Sequence, residues 1–204
     1  MKKYNCVVIG IDQSYKNTGI SISADGKLLD IKNVQMDRLK TNTQRRRHLA
    51  RRLDKLLQKC IAEATNVICI VERTRVHGGQ NSFINIDAIK AMGALTAIIV
   101  DQCAIYDVPV FSVDTRSWKS QVVGTSKPKR NNYGVPDKKW PTVKWVCSIG
   151  FANKIIHDVT GTRKTKGTFT NGGKKYQFDD DAADSAGICM YWWIGDKTKL
   201  QEEK

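Results

Sequence analysis

The chain has 204 residues, with 34 Lys plus Arg against 20 Asp plus Glu, a net charge of +14 and 41% hydrophobic residues. An apolar share of this size builds a core, which excludes wholesale disorder and the collagen-like and low-complexity classes, and the length predicts one domain over residues 1–204. The longest uninterrupted apolar stretch, Ala186 to Ile194, falls well short of the roughly 20 residues that span a bilayer, so no membrane partner is expected. Asp12 breaks the first apolar run too early for a signal-peptide core. The expected location is the cytoplasm. Six cysteines, mostly inside apolar runs and never spaced as CxxC, disfavour zinc and disulfide frameworks and predict reduced thiols. His48, His77 and His157 stand apart from any cysteine pair and read as surface or core residues.

Val7 to Ile11 predicts a buried strand ending at Asp12, followed by a turn over Gln13 to Gly19. Gly19 to Ser23 alternates isoleucine with serine, Asp25-Gly26 is a hairpin turn, and Lys27 to Gln35 is the returning strand. Leu49, Leu53, Leu56, Cys60 and Ala64 recur at helical spacing, with arginines on the other side, which predicts an amphipathic helix over Gln44 to Ala64. Val67 to Val71 reads as a strand buried on both faces and ending at Glu72. A loop over His77 to Asn81, an apolar helix over Ile86 to Tyr106 and a strand over Pro109 to Val113 follow. Shorter helices are predicted near Arg116 to Val123 and Lys138 to Phe151, with an exposed loop over Thr125 to Pro136 between them. Residues 160–178 predict a basic hairpin insertion around Asn171-Gly172-Gly173, and Ala182 to Ile194 a final helix headed by acidic residues. Three antiparallel strands followed by αβ units describe an α/β fold, one mixed five-stranded sheet flanked by helices.

The positive charge is concentrated. Arg116 to Phe178 holds 14 basic residues against Asp137 and Asp158, and Arg38 to Lys59 holds nine against Asp54. A basic face of this kind attracts polyphosphate through counterion release, so nucleic acid is the leading partner. Lys127, Lys129, Arg130 and Lys138, interspersed with glycines and aromatics such as Tyr133, are candidate contacts. A solvated helix face or an anionic membrane surface is the plainer alternative.

Asp12 and Glu72 each end a predicted buried strand, where open sheets of this type place their ligand crevice. Asp181 and Asp184, three apart on the last helix, share a face that can approach the same strand ends; Asp180 and Asp184 would also share one. Converging carboxylates repel one another unless a cation compensates, which points to Mg2+ or Mn2+, two per active site, and to phosphodiester hydrolysis without a protein nucleophile. Taken singly, Asp12 also fits a turn cap, Glu72 a rim ion pair and Asp179 to Asp181 helix caps.

Four segments carry a family likeness: Gly10-Ile11-Asp12 with Thr18-Gly19, Ile70-Val71-Glu72, Gln121-Val122-Val123-Gly124, and Asp181-Ala182-Ala183-Asp184. On these motifs the chain resembles the RuvC-type Holliday-junction resolvases of the ribonuclease H-like superfamily, and its extra basic segment is similar to phage-encoded members. The resemblance implies a ribonuclease H-like sheet, Asp12, Glu72, Asp181 and Asp184 as catalytic metal ligands, and Lys119 as the match of a basic residue just before the Val-Val-Gly segment; Lys119 and Arg75 join the candidate nucleic-acid contacts. It also implies a homodimer built partly on the helix over Ile86 to Tyr106, branched DNA as partner, no small-molecule cofactor, and a bacterial or phage-infected cell as setting. Two departures stand out: Gln13-Ser14 replaces the usual Pro-Gly after the first Asp, and Arg75 occupies the place where relatives can carry a wedging aromatic. The expected function is a metal-dependent, structure-selective endodeoxyribonuclease. The alternatives are a non-catalytic junction-binding module and a ribonuclease H-type enzyme for RNA/DNA hybrids. A sugar-kinase or Hsp70-like ATPase reading of Gly10 to Gly19 lacks a second lobe and an Asp-x-Gly-Gly segment.

Overall fold

The computed structural model describes residues 2–73, 86–124, 140–158, 168–171 and 174–203. β1 (Tyr4–Asp12), β2 (Asn17–Ala24) and β3 (Lys27–Gln35) form an antiparallel meander. Asp25 and Gly26, at φ 46° and 83°, make the left-handed two-residue turn whose twist matches that of the strands it joins. The Asp25 carboxylate also accepts the Cys6 N–H at 3.0 Å, tying the turn back to β1.

α1 (Asn42–Glu63) starts at a capping box in which the Thr41 side chain accepts the Gln44 N–H and the Gln44 side chain accepts the Thr41 N–H. It leads into β4 (Ala64–Glu72), parallel to β1, and α2 (Ile86–Ala104) leads into β5 (Val110–Val113), parallel to β4. The remaining elements are α3 (Thr115–Val122), α4 (Trp140–Ser148), α5 (Ala152–Ile155), β6 (Ile156–Asp158), β7 (Thr168–Asn171), β8 (Lys174–Phe178), α6 (Asp180–Ile194) and β9 (Gln201–Glu203), with a 3-10 turn over Lys197–Lys199. The main sheet runs β3-β2-β1-β4-β5-β9, and β6, β8 and β7 form a small antiparallel sheet beside it.

The predicted five strands are therefore six. β9 adds antiparallel to β5 at the far edge. Its three residues, Gln-Glu-Glu, are polar and mostly exposed, so no alternation of apolar and polar positions announces a strand there. α1 also differs in detail: Leu57 is buried with Leu49, Leu53 and Cys60, while Leu56 is half-buried. The loops over His77 to Asn81 and Thr125 to Pro136 lie outside the described residues.

Strand alternation divides the core. Val7, Ile9 and Ile11 of β1 with Cys69 and Val71 of β4 face α1 and α2, against Leu53, Leu57, Leu95 and Ile99. Val8, Ile68 and Ile70 face the other way, against Trp118, Ile188 and Tyr191. A third cluster joins Val143, Val146 and Ile155 to Ala182, Ala183 and Ala186 of α6. All six cysteines are free thiols; burial pushes the Cys189 thiol up to about 12, so it stays protonated and inert. No helix among the described residues is long and apolar enough to cross a membrane.

Candidate active site

The parallel register of β1 and β4 sets Ile11 opposite Val71, so the next residue on each strand, Asp12 and Glu72, stands at the same end of the sheet. On the other side of β1, Asp12 pairs with Gly19 of β2. Gly19 is the contact point of α6: a Cβ there would run into the Asp181 main-chain carbonyl. Gly10, one pleat earlier, meets the α6 backbone at Ser185 and Cys189 in the same way. Two glycines on one sheet face thus let α6 lie almost on the strands, with its first turn over Asp12. The helix is fixed in this position by its N-cap. The Asp179 carboxylate accepts the Ala182 N–H at 3.1 Å, and its other oxygen accepts from the Asn33 amide of β3.

The electrostatics record the convergence. Burial pushes the Asp12 carboxyl well above the usual carboxylate range, and the negative charges of Asp184, Glu72 and Asp181 push it further, with Lys119 opposing. Glu72 is raised too, by burial first and by Asp184, against two hydrogen bonds that favour its ionised form. Those bonds come from α3. Asp114 caps that helix at the end of β5 through the Arg116 N–H at 2.8 Å. The first turn then presents the Thr115 hydroxyl, which donates to Glu72 Oε1 at 2.6 Å, and the Trp118 indole N–H, which donates to Oε2 at 3.1 Å. One residue on, the Lys119 ammonium lies 3.0 Å from Asp184 Oδ2 and 4.8 Å from the centre of the Trp118 ring. Both members of that ion pair are largely enclosed, their side chains 16% and 13% exposed.

All four predicted acids are therefore brought to one end of the sheet, each half-buried. Of Asp180 and Asp181, it is Asp181 whose charge is among those acting on Asp12. Of the three plainer readings, capping is seen for Asp179; Glu72 is held by two neutral donors instead of a rim ion pair. Among the described residues no three acids, histidines or cysteines close into a ready metal cage. The donor set nonetheless fits a hard divalent cation: four carboxylates, one of them driven toward its neutral form by burial and by the charge of the other three, with Lys119 as a counter-charge.

Lys119, expected as a nucleic-acid contact, lies in the site, paired with Asp184. Arg75, Lys127, Lys129, Arg130 and Lys138 lie outside the described residues. Three residues escaped the sequence reading. Thr115 and Trp118 carry a signal only once Asp114 is recognised as a helix cap, because that places positions 115 and 118 on the face toward β4. Buried Gln13 is the third. Its amide donates to the Glu72 carbonyl at 2.6 Å and reaches the Thr96 hydroxyl of α2 at 3.4 Å, so the residue that replaces proline ties the exits of β1 and β4 together.

No protein-family model matches the chain, and no curated protein matches it. Solved structures do. Thermus thermophilus RuvC is 15% identical over 97% of this chain and 99% of its own, with a TM-score of 0.59. The same enzyme in complex with a Holliday junction substrate is 15% identical over 90% of each chain, with a TM-score of 0.58. The yeast mitochondrial Holliday junction resolvase is 14% identical over 94% of this chain and 78% of its own, with a TM-score of 0.49. At such identities the likeness is one of architecture, and with three antiparallel strands followed by parallel units between helices, the fold of this chain is ribonuclease H-like and similar to that of RuvC.

Proposed function

We propose that this protein is a divalent-metal-dependent endodeoxyribonuclease selective for four-way and other branched DNA junctions, acting as a homodimer. The observation that carries the reading is the gathering of Asp184, Glu72 and Asp181 around Asp12 at the end of the sheet, in a chain of net charge +14. Support for the branched substrate comes from the fold shared with an enzyme solved on a Holliday junction.

Asp12, Glu72, Asp181 and Asp184 would hold Mg2+ or Mn2+. When bound, such ions supply Lewis acidity to a phosphodiester and lower the pKa of water at neutral pH. The protein's own groups do the remaining work. Thr115 and Trp118 fix both oxygens of Glu72, leaving its carboxylate little rotational freedom. Lys119 balances Asp184 and sets a positive charge beside the place a phosphate would take. Trp118, fully buried with its ring against Gly187 of α6, excludes water behind the acids. Arg75, Lys127, Lys129, Arg130 and Lys138 would hold the DNA backbone by charge.

The test is a labelled four-way junction in magnesium, alongside linear duplex and RNA/DNA hybrid. Wild type is expected to cut the junction, and Asp12→Asn and Glu72→Gln each to lose at least about 100-fold in rate while binding with near-wild-type affinity. Preferential cutting of the hybrid would replace this reading with a ribonuclease H-type one. A second reading has its own observation: Lys119 already neutralises part of the acid cluster, as a non-catalytic junction binder would require. Binding without cleavage across magnesium and manganese would establish it.

A further inference from the structure

The nine basic residues between Arg38 and Lys59 take no part in the site described above. Three of them form a stripe on α1. Arg52, Lys55 and Lys59 follow His48 at helical spacing and line one wall of a groove of about 1240 Å³ that wraps the β3 edge of the sheet. Lys16 and Arg38 line it as well, and one end of the groove opens at Asp181, beside the candidate site.

Among the described residues, the charge of this groove is not cancelled from within. Its lining acids, Asp179, Asp180 and Asp181, are all at the site end. Lys32 and Lys154 are balanced by Asp30 at 2.8 and 3.0 Å, so they add little. Asp54 of α1 is absent from the lining; its carboxylate accepts from the Tyr106 hydroxyl at 2.5 Å and from the Gln58 amide at 3.3 Å. Like charges three and four residues apart on a helix destabilise it by a few tenths of a kcal/mol per pair. A helix that keeps such a row facing a groove, with no acid interleaved, is built for an external anion. From His48 to Lys59 the stripe rises about 16 Å, the axial length of about five phosphates on one strand of a duplex. Among the described residues Phe178 is the only Phe, Tyr or Trp in the lining, so the groove is lined for charge more than for stacking of unpaired bases.

We infer that the α1–β3 groove seats the phosphate backbone of a double-stranded DNA arm running away from the candidate site. This rests on the junction-nuclease reading for the identity of the DNA, and deepens it by assigning where an arm lies. Acidic residues at one end and basic residues along the rest separate holding the backbone from acting on it.

The experiment compares wild type with Arg52→Ala/Lys55→Ala/Lys59→Ala, measuring junction affinity against salt for a junction with long arms and one with arms trimmed to a few base pairs. Arg47→Ala/Arg51→Ala, on exposed α1 positions outside the groove lining, is the control, and circular dichroism checks folding. The triple variant is expected to lose about 10-fold or more on long arms, with the slope of log Kd against log salt reduced by roughly 2 to 3, and to change little on trimmed arms. Lys55→Glu alone should move both readouts the same way. An unchanged slope in the triple variant, or an equal loss in the control, overturns the inference. If wild type binds linear duplex as well as a junction, the functional reading fails while the groove is judged by the same slopes on duplex. Wild type that binds no DNA overturns both.

Discussion

Glu72 is an acid whose environment is set by neutral donors. Thr115 and Trp118 each occupy one oxygen, and both bonds favour the ionised carboxylate against its burial. Thr115→Val removes one donor with little change of shape; Trp118→Phe removes the other and also leaves a void where the indole packs on Gly187. Each is expected to weaken the response to Mg2+ by about 10- to 100-fold, read as a higher metal concentration for half-maximal cutting, with junction affinity unchanged; an unshifted metal requirement would deny them a positioning role. Asp12 has a different signature. Its carboxyl is raised from 3.8, the value the unfolded chain keeps, so above 3.8 the unfolded state releases its proton before the native state does, and stability falls as pH climbs through the native value. Asp12→Asn has no proton to lose. Without divalent cations it should be more stable than wild type in neutral buffer, with the gap closing in acid, as measured by urea denaturation at both pH values. The four acids were legible in the sequence because each punctuates an apolar run or shares a helix face. Thr115 and Trp118 were not, since a hydroxyl and an indole have many ordinary uses until the start of α3 is fixed by Asp114.

At the scale of elements, the site depends on how closely α6 approaches the sheet. Small residues make that approach: Gly10 and Gly19 beneath the helix, and Gly187 of the helix against the Trp118 ring. Gly19→Ala forces a methyl group into the backbone of Asp181 and must displace the first turn of α6. The expected cost is about 1 to 3 kcal/mol in denaturant, together with loss of cutting; a variant of wild-type stability and activity would show that the contact is not needed. The strands that bear this helix were readable because β1 and β4 are short apolar runs ending in carboxylates, and the Asp25-Gly26 turn fixes the β2–β3 register. β9 was not readable. A three-residue polar edge strand leaves no periodicity, and its pairing with β5 is decided by where the α6 helix and the turn over Lys197–Lys199 deliver the chain.

At the scale of the whole molecule, charge is sorted along the chain. Carboxylates gather where β1, β4 and α6 meet, while the net positive charge is carried by α1 and by residues 116–178. This division suits a polyanion that must be held along its length and given up to metal ions at one point. The fold was within reach of the sequence because its order of elements is unusual: a meander, then αβ units, then an acid-headed helix. What short motifs cannot give is whether four acids far apart in the chain share one place and take up cations together. Calorimetric titration of Mn2+ into the metal-free protein tests that most directly. Saturable binding approaching two ions per chain, weakened sharply by Asp12→Asn and by Glu72→Gln, is the result expected; no binding by wild type, or binding that survives both substitutions, would contradict it.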